Sequence, residues 1–120
     1  MTVPVTNPLR CQIPLPAGGC VDTIIGDISL GGVSLIGEYA ELRLEPGTAF
    51  KDCRIELPKV GAVNTELAIR NSFLMTLRSG TVIRRTGCAF VRLPADQEAM
   101  LQRYIIRLER DLRAKTAETK

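Results

Sequence analysis

The sequence contains no histidine and no tryptophan, and its aromatic residues amount to 4%. Each shortage excludes something. Without histidine, Ser–His and Cys–His nucleophile pairs cannot be built, nor most general bases that work near neutral pH. The carboxylates form no pair in a suggestive local context, so an enzyme is not expected. So few aromatic rings leave no stacking platform for single-stranded nucleic acid. They also make the core aliphatic, built from Val, Ile and Leu. No apolar run approaches the length of a membrane-spanning helix. The first residues, MTVPVTNPLR, lack the apolar core of a secretory signal. The expectation is a cytoplasmic protein that neither inserts in a membrane nor binds a nucleic-acid polymer.

What is present fits one domain. The chain has 120 residues, 45% hydrophobic and 24% charged, with a net charge of +3. That charge suits a single anionic ligand better than a long polyanion. The four cysteines, Cys11, Cys20, Cys53 and Cys88, contain no C-x-x-C pair. A zinc site would have to be all-cysteine, and the spacing does not support one. Their apolar neighbours predict buried free thiols in a reducing compartment rather than a disulfide framework.

Residues 1–95 are rich in β-branched residues, glycine and proline, whereas residues 96–120 contain no Gly or Pro. Turn signals mark off short strands at Leu9–Ile13, Cys20–Ser29, Gly32–Gly37 and Ala40–Leu44. Pro46 and Gly47 predict a type II turn. Cys53–Leu57 alternates, with Cys53, Ile55 and Leu57 on one face and Arg54 and Glu56 on the other. The run from Ala62 is long enough for a strand with a bulge, and SGTVIRR and GCAFVRL complete the series. About seven closely spaced strands predict an antiparallel barrel or sandwich. In the tail, Leu101, Tyr104, Ile105, Leu108 and Leu112 recur at steps of three and four, the spacing of one helical face. Asp96 suits the N-cap, and Glu98 adds charge to the positive end of the dipole. Glu109 and Arg113 are spaced for an ion pair. Arg103, Arg107 and Arg110 fall off the apolar stripe, and the final TAETK is expected to fray. The stripe is expected to cap an open end of the barrel; docking of a partner or of a second copy is the alternative.

One stretch carries possible chemistry: GDISLGG, Gly26 to Gly32. In a purely structural reading, Gly31 and Gly32 supply positive φ for a tight hairpin, and Asp27 is an acid at a turn. In a ligand reading, the glycines admit a ligand close to the backbone. The Asp27 carboxylate accepts two hydrogen bonds, as the N1–H and 2-amino donors of a guanine edge would offer. Asp27 and Ser29, two apart on an extended chain, would both face outward while Ile28 points inward.

Asp27, Ser29 and Gly32 stand at the three fixed positions of D/N-x-S-x-x-G. The stretch thereby resembles the signature of PilZ domains, small β-barrel receptors for the bacterial second messenger cyclic di-GMP. VPV with LRCQI, TGCAFVRL and LQRYIIRLER resemble the flagellar brake branch of that family. The likeness runs from about Pro4 to Arg113. It implies a mainly β fold, a six- to seven-stranded antiparallel barrel over residues 1–95, with residues 96–120 as a C-terminal helix of the same domain. It implies ligand-binding residues Asp27, Ser29, Gly31 and Gly32, no metal, and no cofactor beyond the cyclic di-GMP ligand. It implies binding rather than catalysis, and flagellar motor proteins as partners near the basal body; a dimer through the helix belongs to the second-copy reading of the apolar stripe.

One departure stands against the pattern. The family's second element is an R-x-x-x-R segment just before the first strand, whose arginines grip phosphates and guanine edges. Here Thr2 stands where that segment would end, and Arg10 is the first arginine. Either the chain is cut immediately after the segment, or it is a variant that works as a protein-interaction adaptor without nucleotide. For the adaptor, Arg54, Arg70, Arg84, Arg85, Arg92 and the helix are the candidate surface. A charge-assisted hydrogen bond contributes about 1.5–3 kcal/mol. Losing two arginines then weakens binding by roughly two or more orders of magnitude. An unrelated nucleic-acid-binding barrel is the third reading, and low basicity counts against it.

Overall fold

In the computed structural model of the chain, the backbone is described for residues 3–118 and the side chains for residues 9–114. Alternation builds the sheet. The strands are β1 (Val3–Pro14), β2 (Cys20–Ile28), β3 (Gly32–Ile36), β4 (Ala49–Leu57), β5 (Gly61–Thr76) and β6 (Val82–Val91), followed by helix α1 (Ala95–Glu118). All neighbours are antiparallel, in the closed order β1-β2-β3-β6-β5-β4. The seam is short: β1 meets β4 through Cys11↔Ile55 and Gln12↔Arg54. Cys53, Ile55 and Leu57 point inward as the alternation predicts, with Val63, Leu67 and Ile69 beside them. Thr23 and Thr86 are polar members of the same interior, and the Thr23 hydroxyl donates to the Cys11 carbonyl at 2.7 Å.

The helix buries the predicted stripe. Leu101, Ile105 and Leu108 join the core, and Tyr104 and Leu112 flank them. They pack against β1 and β5. Three buried aliphatic side chains contribute roughly 5–9 kcal/mol before the entropy of ordering the helix is subtracted. At its start, the Asn64 amide donates to the Gln97 side chain at 2.8 Å. Glu109 and Arg113 meet at 3.5 Å as expected.

Several expectations are corrected. Ala40–Leu44 is a turn-rich loop rather than a strand; Leu42 is buried, but its amide bonds the Tyr39 carbonyl at 3.0 Å instead of a neighbouring strand. SGTVIRR and GCAFVRL contribute to one strand, β6, because every residue from Val82 to Val91 pairs with β5 and the one register shift, at Arg70, falls on β5. The barrel therefore has six strands. Asp96 is not the cap: the Glu98 amide bonds the Pro94 carbonyl at 2.8 Å, so Asp96 sits inside the first turn. The helix runs through Glu118. Thr119 and Lys120 lie outside the described residues, as does Thr2. Cys11, Cys53 and Cys88 are buried free thiols, but Cys20 is exposed at the start of β2. The Pro46–Gly47 turn forms as predicted, with Gly47 at φ 93° and the Thr48 amide 3.1 Å from the Glu45 carbonyl.

Candidate functional site

A bulge sets the direction of Asp27. Along β2 the odd-numbered Val21, Thr23 and Ile25 face the core. Uninterrupted alternation would send Asp27 inward as well. The register with β3 slips between Ile25 and Asp27, so Gly26 is the extra residue and parity reverses. Ile28 takes the core position and Asp27 turns to the outer face. A Cβ on Gly26 would lie 2.7 Å from Ile36 Cγ1, so the Ile36 side chain would have to shift to admit one.

Asp27 is not open to water, however. Its side chain is only 10% exposed and forms an ion pair with Arg85 of β6 through Oδ2. Its Oδ1 is buried without a hydrogen-bond partner. An unsatisfied buried acceptor costs about 1–3 kcal/mol.

The glycines do not act as expected. Neither Gly31 nor Gly32 has positive φ. Ser29 organises the turn instead: its Oγ accepts from the Gly31 amide at 3.1 Å and the Gly32 amide at 3.2 Å. The Ser29 amide in turn reaches the Gly32 carbonyl at 2.9 Å. Ser29 has thus left the strand, and its hydroxyl serves its own loop. Gly32 is needed for close approach. A Cβ there would run into the Cys88 carbonyl oxygen, 2.9 Å from its carbonyl carbon and 3.0 Å from Ala89 Cα. Gly31 meets nothing closer than Ser29 Oγ at 3.8 Å, and its carbonyl accepts from the Phe90 amide at 2.9 Å.

The structure adds residues that the motif does not contain. Across the outer face, register aligns Asp27, Ser34, Gly87 and Asn71 in one row over β2, β3, β6 and β5. Gly87 keeps the middle of the row low, since a Cβ on it would press on the Asn71 amide at 2.8 Å. The row ends in the Asp27 carboxylate. Beneath it, burial and the neighbouring Cys53 push the Cys88 thiol up to about 12. The Cys53 hydrogen bond, with burial, pushes Cys11 up as well. These thiols are core, with no nucleophilic part in the site. Among the described residues no cluster of His, Cys, Asp or Glu could hold a metal ion. Among the described residues no helix is long and apolar enough to cross a membrane.

A closed antiparallel barrel packed against one helix, with an acid and a serine-organised glycine loop at one rim, defines a small class of domain. Residues 5–107 match the PilZ domain family, and the chain belongs to it. Flagellar brake protein YcgR of Thiobacillus denitrificans is 40% identical over 111 residues, covering 90% of this chain and 44% of that protein. The YcgR of an Azoarcus species is 34% identical over 119 residues, covering 96% and 46%. The chain thus spans about half the length of the curated relatives it matches. Among solved structures, the PilZ domain with c-di-GMP of YcgR from Escherichia coli superposes with a TM-score of 0.77 at 21% identity, over 98% of this chain and 95% of that one. The MrkH–c-di-GMP complex of K. pneumonia gives 0.83 at 18% identity, over 96% and 53%. At such identities the likeness is one of fold.

Proposed function

We propose that this chain is a cyclic di-GMP-binding domain of flagellar brake type that receives one guanine edge at Asp27, with the Ser29–Gly32 loop beside it. The brake action, through a cytoplasmic contact with flagellar motor proteins at the basal body, belongs to the same proposal. The observation that carries it is the buried Oδ1 of Asp27, left without a donor while Arg85 holds Oδ2. A guanine edge offers two adjacent donors, which suit a carboxylate once Arg85 releases Oδ2 and Oδ1 is uncovered. The Pro4↔Asp27 pairing brings the start of β1 alongside the acid, where an arginine segment ahead of the strand would reach it.

These 120 residues contain no R-x-x-x-R ahead of β1. The chain alone is therefore expected to bind weakly, and an arginine pair added ahead of Val3 to tighten binding by about 100-fold. Isothermal titration with cyclic di-GMP tests this, alongside Asp27→Ala and cyclic di-AMP. Equal binding of the adenine nucleotide, or no effect of Asp27→Ala, refutes the guanine assignment. Submicromolar binding by the unmodified chain refutes the weak-affinity part. One observation favours the adaptor alternative: the Ser29 hydroxyl is already occupied by its own loop. Absence of binding even with the arginine pair restored would select it.

A further inference from the structure

The helix has a second face. Arg103, Ile106, Arg107 and Arg110 follow the steps i, i+3, i+4 and i+7, which place them on one side of α1. They do not touch the core. With Lys59 and Val60 from the β4–β5 turn they line an open cavity of about 390 Å³. The net charge of the whole chain is only +3, yet this one groove holds four cations. No carboxylate lines it, and among the described residues none of the four cations is in an ion pair. Five other arginines, Arg43, Arg54, Arg84, Arg85 and Arg113, each hold an acid. Asp111, one turn beyond Arg107, acts on Tyr104 instead, helping burial to raise its phenol.

Two further features shape the groove. Ile106 is 52% exposed in the middle of the basic face. Lys59 sits at φ 66°, a left-handed conformation that glycine or asparagine would adopt more cheaply. From Arg103 to Arg110 the helix advances about 10 Å. Charges spread over that length suit an extended ligand better than a single phosphate, and an inorganic anion would gain nothing from Ile106 or Val60. A peptide with carboxylates flanking an apolar side chain matches both.

We infer that the groove between α1 and the β4–β5 turn is a docking site for an acidic protein segment carrying an apolar anchor. The site is separate from Asp27 and does not depend on nucleotide binding. The anchor packs on Ile106 and Val60, while flanking carboxylates meet Arg103, Arg107, Arg110 and Lys59.

The test uses the full chain and a fluorescein-labelled peptide in which glutamates flank a leucine, read by anisotropy at low salt. R103E/R107E is expected to weaken binding by about tenfold or more, because reversal makes attractive contacts repulsive. I106A is expected to weaken it several-fold, by about the same factor as a leucine-to-glycine change in the peptide. R113E, on the same helix but outside the groove and already paired with Glu109, should leave binding within about twofold. Circular dichroism checks that each variant keeps its helix. The inference is overturned if R113E costs as much as the groove pair, since binding then follows net charge. It is also overturned if the peptide's leucine is irrelevant. Displacement of the peptide by equimolar inorganic pyrophosphate, or binding to vesicles of anionic lipid that R103E/R107E abolishes while the peptide fails to bind, overturns it too.

Discussion

Gly32→Ala separates two uses of glycine that look alike in a sequence. The methyl group would meet β6 backbone, the carbonyl of Cys88 and the Cα of Ala89, rather than a side chain that could swing away. To admit it, β3 must move off β6 at Gly32↔Ala89. Two hydrogen bonds hold the loop at that point, Ser29 amide to Gly32 carbonyl and Phe90 amide to Gly31 carbonyl, both 2.9 Å. Losing one contributes about 0.5–1.5 kcal/mol, and overpacking a close contact adds about 1–3 kcal/mol. The expected loss is about 2–4 kcal/mol. For a domain of this size that lowers Tm by roughly 8–15 °C. Gly31→Ala is the control, with 3.8 Å of clearance and no positive φ. It is expected to stay within about 0.5 kcal/mol. Thermal and urea unfolding of both variants decide the matter. A cost for Gly32→Ala below that of Gly31→Ala refutes the close-approach account and returns these glycines to a turn role.

Two further predictions follow from buried groups. Arg85→Ala leaves the Asp27 carboxylate buried and unpaired, so urea unfolding should show a loss of about 2–4 kcal/mol, largely recovered by Asp27→Asn in the same background. No recovery in that double variant would mean that Arg85 stabilises through packing instead. Cys88 keeps its proton in the folded state up to about 12, against an ordinary value of 9.0. The folded state therefore binds more protons above pH 9, and stability must fall as pH rises through that window while staying flat below it. A drop of about 1 kcal/mol by pH 10 is expected from this thiol, and Cys88→Ala should reduce the slope. A urea midpoint unchanged between pH 8 and pH 10 would contradict it.

Local patterns were legible where one period ruled. Cys53–Leu57 reads as a strand because each side chain has one destination, and the Leu101–Leu112 stripe reads as a helix for the same reason. The Ala40–Leu44 stretch alternates equally well, but a strand also needs a partner, and alternation says nothing about partners. The acid-and-glycine loop was recognisable as a motif, yet its mechanics were not. Gly26 looks like any glycine, and only the register shows that it turns Asp27 out of the core. Arg85 lies 58 positions after Asp27 and carried no more signal than the other strand arginines. Lys59 and the helix arginines likewise become one groove only after the chain folds.

Closure of the barrel has a consequence in time. The ladder that joins β3 to β6 pairs Gly32 with Ala89, and the seam joins Cys11 to Ile55. Such distant pairings must pay for long loops before any contact rewards them, which places folding in the slow range of about milliseconds to seconds. On a ribosome, Asp27 waits for Arg85 to be made. Gly87, the acid's partner Arg85 and the backbone that confines Gly32 all belong to β6, the last strand to be made. A peptide excised around the motif would have the letters of the site and none of its geometry.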